Sequence, residues 1–341
     1  VAYQLLMQTL YLKHPCRWPV LGERAAFDCL TRQDVLDYHA SRYVPNNVVL
    51  SIAGDVDAAE ILSHLELLVE DLKSRPLNRE PIPHEPHQFG SRRVRKEFAV
   101  PYSKLHLAWR LPCSAHPDTP ALSALSSILG GGRSARFYEK FHDRLGLVYS
   151  IEVHSNQSET DEGAFTISMD VDRAQRDKVR DLVLQELRNL AEEDFTEDLK
   201  RVCKQTRVSR LRRRSSASGV ASEMGADWFG SRNLNLSSEW QEAIERVTTE
   251  DLHRVCSTWL SSPNVTEVSL DPPGSNAGDE ERASASAGTA LSEHVLGNGM
   301  KVVIREDHRL PLAYACMAFK AGCRAENEHD AGVTDLMSEC L

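Results

Sequence analysis

Three short stretches bring together residue types able to do chemistry. His84-Glu85-Pro86-His87 offers two imidazoles and a carboxylate within four positions, the ligand types of a zinc site. Pro86 breaks any helix, so the two histidines cannot share a helical face, and the stretch reads as solvated linker. Gly130-Gly131-Gly132 could cradle a phosphate, but it follows a helical run and lacks the Gly-Lys-Ser/Thr ending of a P-loop. It reads as a helix C-cap and flexible loop. Arg207, Arg210, Arg212, Arg213 and Arg214 form the one basic run, without aromatic partners or a wider basic field. A solvated helix end explains it better than a nucleic-acid site. Eight cysteines are scattered with no CxxC pair, so they read as buried thiols in a reducing compartment rather than a disulfide framework or zinc ribbon.

The elements that position these residues follow from composition and pattern. The 341 residues are 41% hydrophobic and 26% charged, with a formal net charge of −10. That length suggests about two domains able to bury cores of their own. The apolar fraction excludes a disordered chain, and no run approaches the ~18 apolar residues of a membrane span. The acidic balance argues against nucleic acid as a partner. Two linker compositions stand out, a Pro-rich stretch at 75–93 and PPGSNAGDEERASASAGTA at 272–290. Both chain ends lie inside helix-like runs without caps, so the sequence reads as a piece of a longer chain. It does not distinguish a cytoplasmic from a periplasmic location.

Between the linkers, helix and strand signals alternate. Arg32–Tyr43 predicts a helix capped by Thr31 with Asp34 in its first turn. Val48–Ala53 predicts a strand, and Asp57–Leu72 a helix with Ile61, Leu62, Leu65, Leu68 and Val69 on one face. Strands are expected at Ser103–Arg110, Val148–His154, Gly163–Val171 and Val265–Leu270. Helices are expected at Thr119–Leu129, Ala135–Arg144, Ala174–Ala191, Thr196–Arg214 and Thr249–Leu260. Irregular alternation of this kind indicates α+β, two-layer domains with mostly antiparallel sheets and flanking helices. An internal echo indicates duplication. Leu30-Thr31-Arg32-Gln33-Asp34-Val35 followed by Pro45-Asn46-Asn47-Val48 matches Val247-Thr248-Thr249-Glu250-Asp251-Leu252 followed by Pro263-Asn264-Val265.

Four stretches resemble zinc metallopeptidases of the insulinase/pitrilysin type, the inverted zincins. His14-Pro15 with Pro19-Val20-Leu21-Gly22, Leu30-Thr31 and Tyr43-Val44-Pro45-Asn46-Asn47 resembles the second half of the family's catalytic domain. Ile128 to Phe137 with Leu145-Gly146-Leu147-Val148-Tyr149-Ser150 resembles the core of the domain that follows. Thr196 to Leu270 is similar to that domain's closing helices and strand. Leu296 to Val303, through Gly332, looks like the opening of another such domain. The resemblance implies four segments: 1–80, the end of a first peptidase-type domain; 94–271, a second, non-zinc domain; 272–290, a linker; and 291–341, the start of a degenerate second half.

The family's chemistry rests on an HxxEH helix, in which two histidines hold zinc and the glutamate is general base. The chain contains no HxxEH. By the resemblance, the second copy falls on Asp335, Ser338 and Glu339, where no imidazole remains. Zinc is therefore implied for the full-length protein and not for this piece. The family also donates an Arg/Tyr pair to the developing oxyanion. Tyr149 matches its tyrosine, while the arginine position is His142; the bland reading of Tyr149 is a strand tyrosine packed between sheet and helix. The glycines 130–132 lie where mitochondrial processing peptidase subunits carry a glycine-rich loop lining the substrate cavity. The implied activity is endoproteolysis of unfolded peptides within a clamshell, closed by the second half of the same chain or a homologous subunit. The alternative is a non-catalytic structural or substrate-presenting partner of the same fold, like the core subunits of respiratory complex III.

Overall fold

The computed structural model describes residues 1–77, 81–157, 163–260, 263–273, 292–304 and 315–316. The chain divides into two compact units, residues 1–285 and 286–341. In the first, the helices are α1 (Ala2–Leu10), α2 (Arg24–Phe27), α3 (Arg32–Arg42), α4 (Ala58–Val69), α5 (Thr119–Gly130), α6 (Arg176–Asn189), α7 (Thr196–Arg214), α8 (Ala217–Ser231), α9 (Leu236–Glu245) and α10 (Thr249–Val255). The strands are β1 (Arg92–Glu97), β2 (Ser103–Leu111), β3 (Val148–Asn156), β4 (Gly163–Val171) and β5 (Thr266–Asp271). In the second unit, β6 (Ser292–Val295) and β7 (Lys301–Ile304) form an antiparallel hairpin whose turn uses Gly299 at φ +84°.

The five strands of the first unit make one sheet in the order β1-β5-β2-β4-β3. Only β1 and β5 run parallel; the other pairs are antiparallel. Period-two alternation decides the faces. Leu105, Leu107, Trp109 and Leu111 of β2, with Phe165, Ile167, Met169 and Val171 of β4, point to one side and are buried. There they meet α5 (Leu122, Leu125, Ile128, Leu129), α6 (Val179, Val183, Leu187) and α10 (Leu252, Val255) in one continuous core. The opposite side is partly covered by α1, whose Leu6 and Leu10 pack with Ala108, Ala164 and Val268. The expected α+β class with mostly antiparallel sheets is the observed one.

Both halves of the sequence echo carry the same cap. Thr31 with Asp34, and Thr248 with Asp251, each form a capping box at the start of α3 and α10. After the second copy the chain enters β5. After the first, residues 48–53 run without sheet pairing, and Leu50 and Ile52 are exposed. The strand expected at Val48–Ala53 is therefore absent: a strand exists only through hydrogen bonds to a neighbour, and none is provided among the described residues. The helix expected at Asp57–Leu72 does form, as α4, because its hydrogen bonds are internal, but its Leu62 and Leu68 are exposed rather than packed. The helix expected over Ala135–Arg144 is a wide, π-type segment from Tyr138 to Arg144, and a second one, Cys256–Leu260, continues α10. The charged strand β1 has no apolar alternation to announce it.

Candidate functional site

Tyr149 stands where β3 leaves regular pairing. The register of β3 against β4 shifts between Val148 and Ser150, making Tyr149 the extra residue of a bulge. A bulge turns a side chain out of the alternation that sends Ile151 and Val153 inward. Tyr149 is 46% exposed, so it is not a tyrosine packed between sheet and helix. Its ring lies against Tyr102 with centroids 3.9 Å apart, and its hydroxyl donates to Asp172 Oδ1 at 3.0 Å. A hydroxyl donating to a carboxylate has its proton committed. It must leave Asp172 before it can donate to a carbonyl oxygen.

His142 is held within its own helical segment. Its ring stacks on Tyr138 at 4.3 Å, and its Nδ1 lies 2.7 Å from Asp143 Oδ1. The neighbouring Arg144 pairs with Glu139. Tyr149 and His142 thus have different partners, on β3's bulge and on the 138–144 segment respectively.

The three glycines have distinct reasons. A Cβ on Gly130 would lie 2.5 Å from the Val153 amide nitrogen, so this glycine lets the end of α5 touch β3. A Cβ on Gly131 would lie 2.4 Å from the Ser127 carbonyl oxygen, which the Gly131 amide bonds at 2.8 Å. Gly132 has φ +103° and open space around it. Gly131 and Gly132 are exposed, whereas Gly130 is fixed by packing.

Among the described residues no group of three or more His, Cys, Asp or Glu could hold a metal ion. The donor set among these residues does not fit a zinc site. Asp335, Ser338 and Glu339 lie outside the described residues.

Two polar stretches differ from their sequence reading. Glu85 is not a solvated linker residue: its carboxylate accepts the backbone amides of Leu12, Lys13 and His14 at 2.6, 2.8 and 2.9 Å. Burial works against its charge, but these three amides and Arg110 outweigh that and hold its pKa below the usual carboxylate range. Nearby, Arg92 donates to the carbonyls of Thr9 and Leu10, closing the end of α1. The basic run is also engaged. Arg210 and Arg214 both reach buried Glu223 at 3.0 Å, and Arg207 reaches Glu245 at 2.9 Å. Only Arg212 and Arg213 fit the solvated-end description. No local pattern marks these partners, which are set by how α7, α8 and α9 pack.

Comparison with known proteins gives a consistent answer. A family model described as the peptidase M16 inactive domain matches residues 30–205. A zinc protease, PqqE, of Helicobacter pylori is 24% identical over 278 residues, covering 79% of this chain and 62% of the relative. An uncharacterized zinc protease of Rickettsia felis is 23% identical over 272 residues, covering 76% and 62%. The chain thus spans less than two thirds of these relatives' length. The crystal structure of a protease from Helicobacter pylori superposes with a TM-score of 0.69 at 25% identity, covering 80% of this chain and 66% of that one. A peptidase M16 inactive domain from Pseudomonas fluorescens gives 0.70 at 20% identity, covering 81% and 65%, a likeness of fold.

Proposed function

The chain belongs to the peptidase M16 family, and from that premise we propose that it is the non-catalytic, substrate-enclosing part of a zinc-dependent endopeptidase. The family match is the observation that carries the reading, since the matched model is that of the inactive domain and the relatives are zinc proteases. The segments 1–80, 94–271, 272–290 and 291–341 are read as the end of a peptidase-type domain, an inactive domain, a linker and the start of a second half. Zinc belongs, on this reading, to residues outside those described here.

The inactive domain's own residues support an enclosing role. Tyr149 donates to Asp172, and His142 occupies the position of the family's arginine, held by Tyr138 and Asp143. Neither offers a free, preorganised donor to a developing oxyanion. The sheet and the glycine-bearing end of α5 supply rigid walls. The substrate is an unfolded peptide, and closure comes from the second half of the chain or a homologous subunit. No described helix is long and apolar enough to cross a membrane.

The test is zinc analysis of the full-length protein together with cleavage of a quenched fluorogenic peptide, with and without chelator. Bound zinc and chelator-sensitive turnover are expected. A protein with neither metal nor turnover is instead a structural or substrate-presenting partner of the same fold.

A further inference from the structure

The two halves of the sequence echo keep one offset. Thr31 and Thr248, Asp34 and Asp251, Asn47 and Asn264, and Val48 and Val265 are all separated by the same number of residues. That offset matches residues 49–54 to β5, residue for residue. β5 is an interior strand, bonded in parallel to β1 and antiparallel to β2.

Burial does not follow the match. Leu252, Val255 and Leu260 lie in the main core, but their counterparts Val35, Tyr38 and Tyr43 are exposed. Leu50 and Ile52 are exposed as well. One face is the exception, since Val49, Ser51 and Ala53 are half-buried. By the offset, Ser51 stands for Val268, the β5 residue on which Leu6 and Leu10 of α1 pack. What meets Ser51 is α8. Ser51 Oγ donates to the Ala221 carbonyl at 2.7 Å, and a Cβ on Gly225 would lie 2.7 Å from that hydroxyl. Ala221 and Gly225 are neighbours on one face of the helix, and the glycine lets the extended segment come this close. The arrangement is reciprocal. Helix α1, from segment 1–80, lies on β5 of the inactive domain, and α8, from the inactive domain, lies on the counterpart of β5.

We propose that α8 is the seat of a second sheet, that of the peptidase-type segment, with residues 49–53 as an interior strand placed on α8 through Ser51 and Gly225. Its neighbours are one parallel and one antiparallel strand of the same domain, carried by the same chain outside these 341 residues. The inference rests on the peptidase reading of segment 1–80 and adds to it the surface that fixes this segment on the inactive domain. Three observations select this occupant. A strand needs external partners for its N–H and C=O groups, and β5 shows that the motif takes one on each edge. The exposed counterparts of core residues are apolar, so the occupant brings a hydrophobic layer with it. The relatives have the length for it, since this chain covers 62% of each.

The test is hydrogen exchange of the full-length protein, read by mass spectrometry on peptides covering 48–53 and 266–271. Both segments exchange at least about a hundredfold more slowly than unstructured peptides of the same sequence. Gly225→Val speeds exchange of 48–53 at least about tenfold and leaves 266–271 within about twofold. Ala226→Val, at an exposed position of the same helix, moves neither segment. Ser51→Ala removes only the bond to Ala221 and speeds 48–53 by about three- to tenfold, which decides the matter if Gly225→Val unfolds the protein. Free-peptide rates at 48–53 in the wild type overturn the second sheet. Unchanged exchange in Gly225→Val and in Ser51→Ala overturns the seat. Protection that fades on dilution gives the cover to a second copy and overturns the same-chain assignment. Zinc content and chelator-sensitive cleavage by the same wild-type preparation report separately on the peptidase reading. Protection without zinc or turnover keeps the seat and removes the peptidase; turnover without protection removes the seat alone.

Discussion

Glu85 accepts the backbone amide of Leu12 at 2.6 Å across 73 residues of sequence, and adds the amides of Lys13 and His14 with the same carboxylate. One side chain of a proline-rich stretch thereby fastens the chain just beyond α1, whose end Arg92 already holds.

Replacing Glu85 by Ala leaves three amides without their anionic acceptor and costs about 1–2 kcal/mol, read by urea denaturation. The pH dependence has a definite sign. Glu85's folded pKa is lowered, so its stabilisation is present above the unfolded value of about 4.3 and is lost as pH falls through the folded one. The denaturation midpoint of the Glu85→Gln variant therefore changes less between pH 5 and pH 3 than that of the wild type. Parallel acid limbs would remove Glu85 from this role.

Gly130→Ala and Gly132→Ala separate packing from backbone strain. The first drives a Cβ into the Val153 backbone and costs about 1–3 kcal/mol or more through forced displacement of β3. The second meets open space and carries the left-handed penalty of about 1–2 kcal/mol. Thermal melts should rank Gly130→Ala below Gly132→Ala. The reverse order contradicts the close approach of α5 to β3.

Glu223 anchors Arg210 and Arg214 at the α7–α8 hairpin, where it is 6% exposed. Glu223→Ala leaves Arg210 partly buried without its counter-charge and should cost about 3 kcal/mol. Arg213→Ala, in the exposed part of the same basic run, should stay within about 0.5 kcal/mol. Equal losses would mean that the run is solvated throughout.

Tyr149→Phe removes the hydrogen bond to Asp172 at a half-exposed site. If the inactive domain only encloses substrate, kcat for a quenched peptide stays within about twofold in the full-length protein. Loss of an oxyanion donor would lower kcat by about 10²–10³. A fall of that size reassigns Tyr149 to the chemistry.

Thiol reactivity gives an independent check on the core. Burial pushes the Cys256 thiol up to about 12, whereas Cys16 and Cys29 are exposed. With Ellman's reagent, Cys16 and Cys29 should react in the native protein and Cys256 only on unfolding. Fast native labelling of Cys256, located by peptide mapping, would contradict the packing of residues 256–260.

Sequence by itself determined what depends on near neighbours. The Thr31–Asp34 and Thr248–Asp251 capping boxes, α7 at Thr196–Arg214 and β4 at Gly163–Val171 agree with their predicted bounds, because caps and apolar periodicity act within a few residues. The family was legible for a related reason, since short motifs preserved their order along the chain. Tertiary structure alone decided the rest. Pairing of β1 with β5 is parallel and joins residues 174 apart, such as Arg92 and Thr266, with no pattern in RRVRKE to foretell it. Residues 48–53 have strand composition yet no partner strand among the described residues, and a strand's hydrogen bonds are necessarily external to it. Glu85 reads as solvated linker and nothing local singles out Glu223, until folding brings backbone amides to the one and arginines to the other. The bulge that turns Tyr149 toward Asp172 is likewise a property of register, which a strand's own residues do not contain.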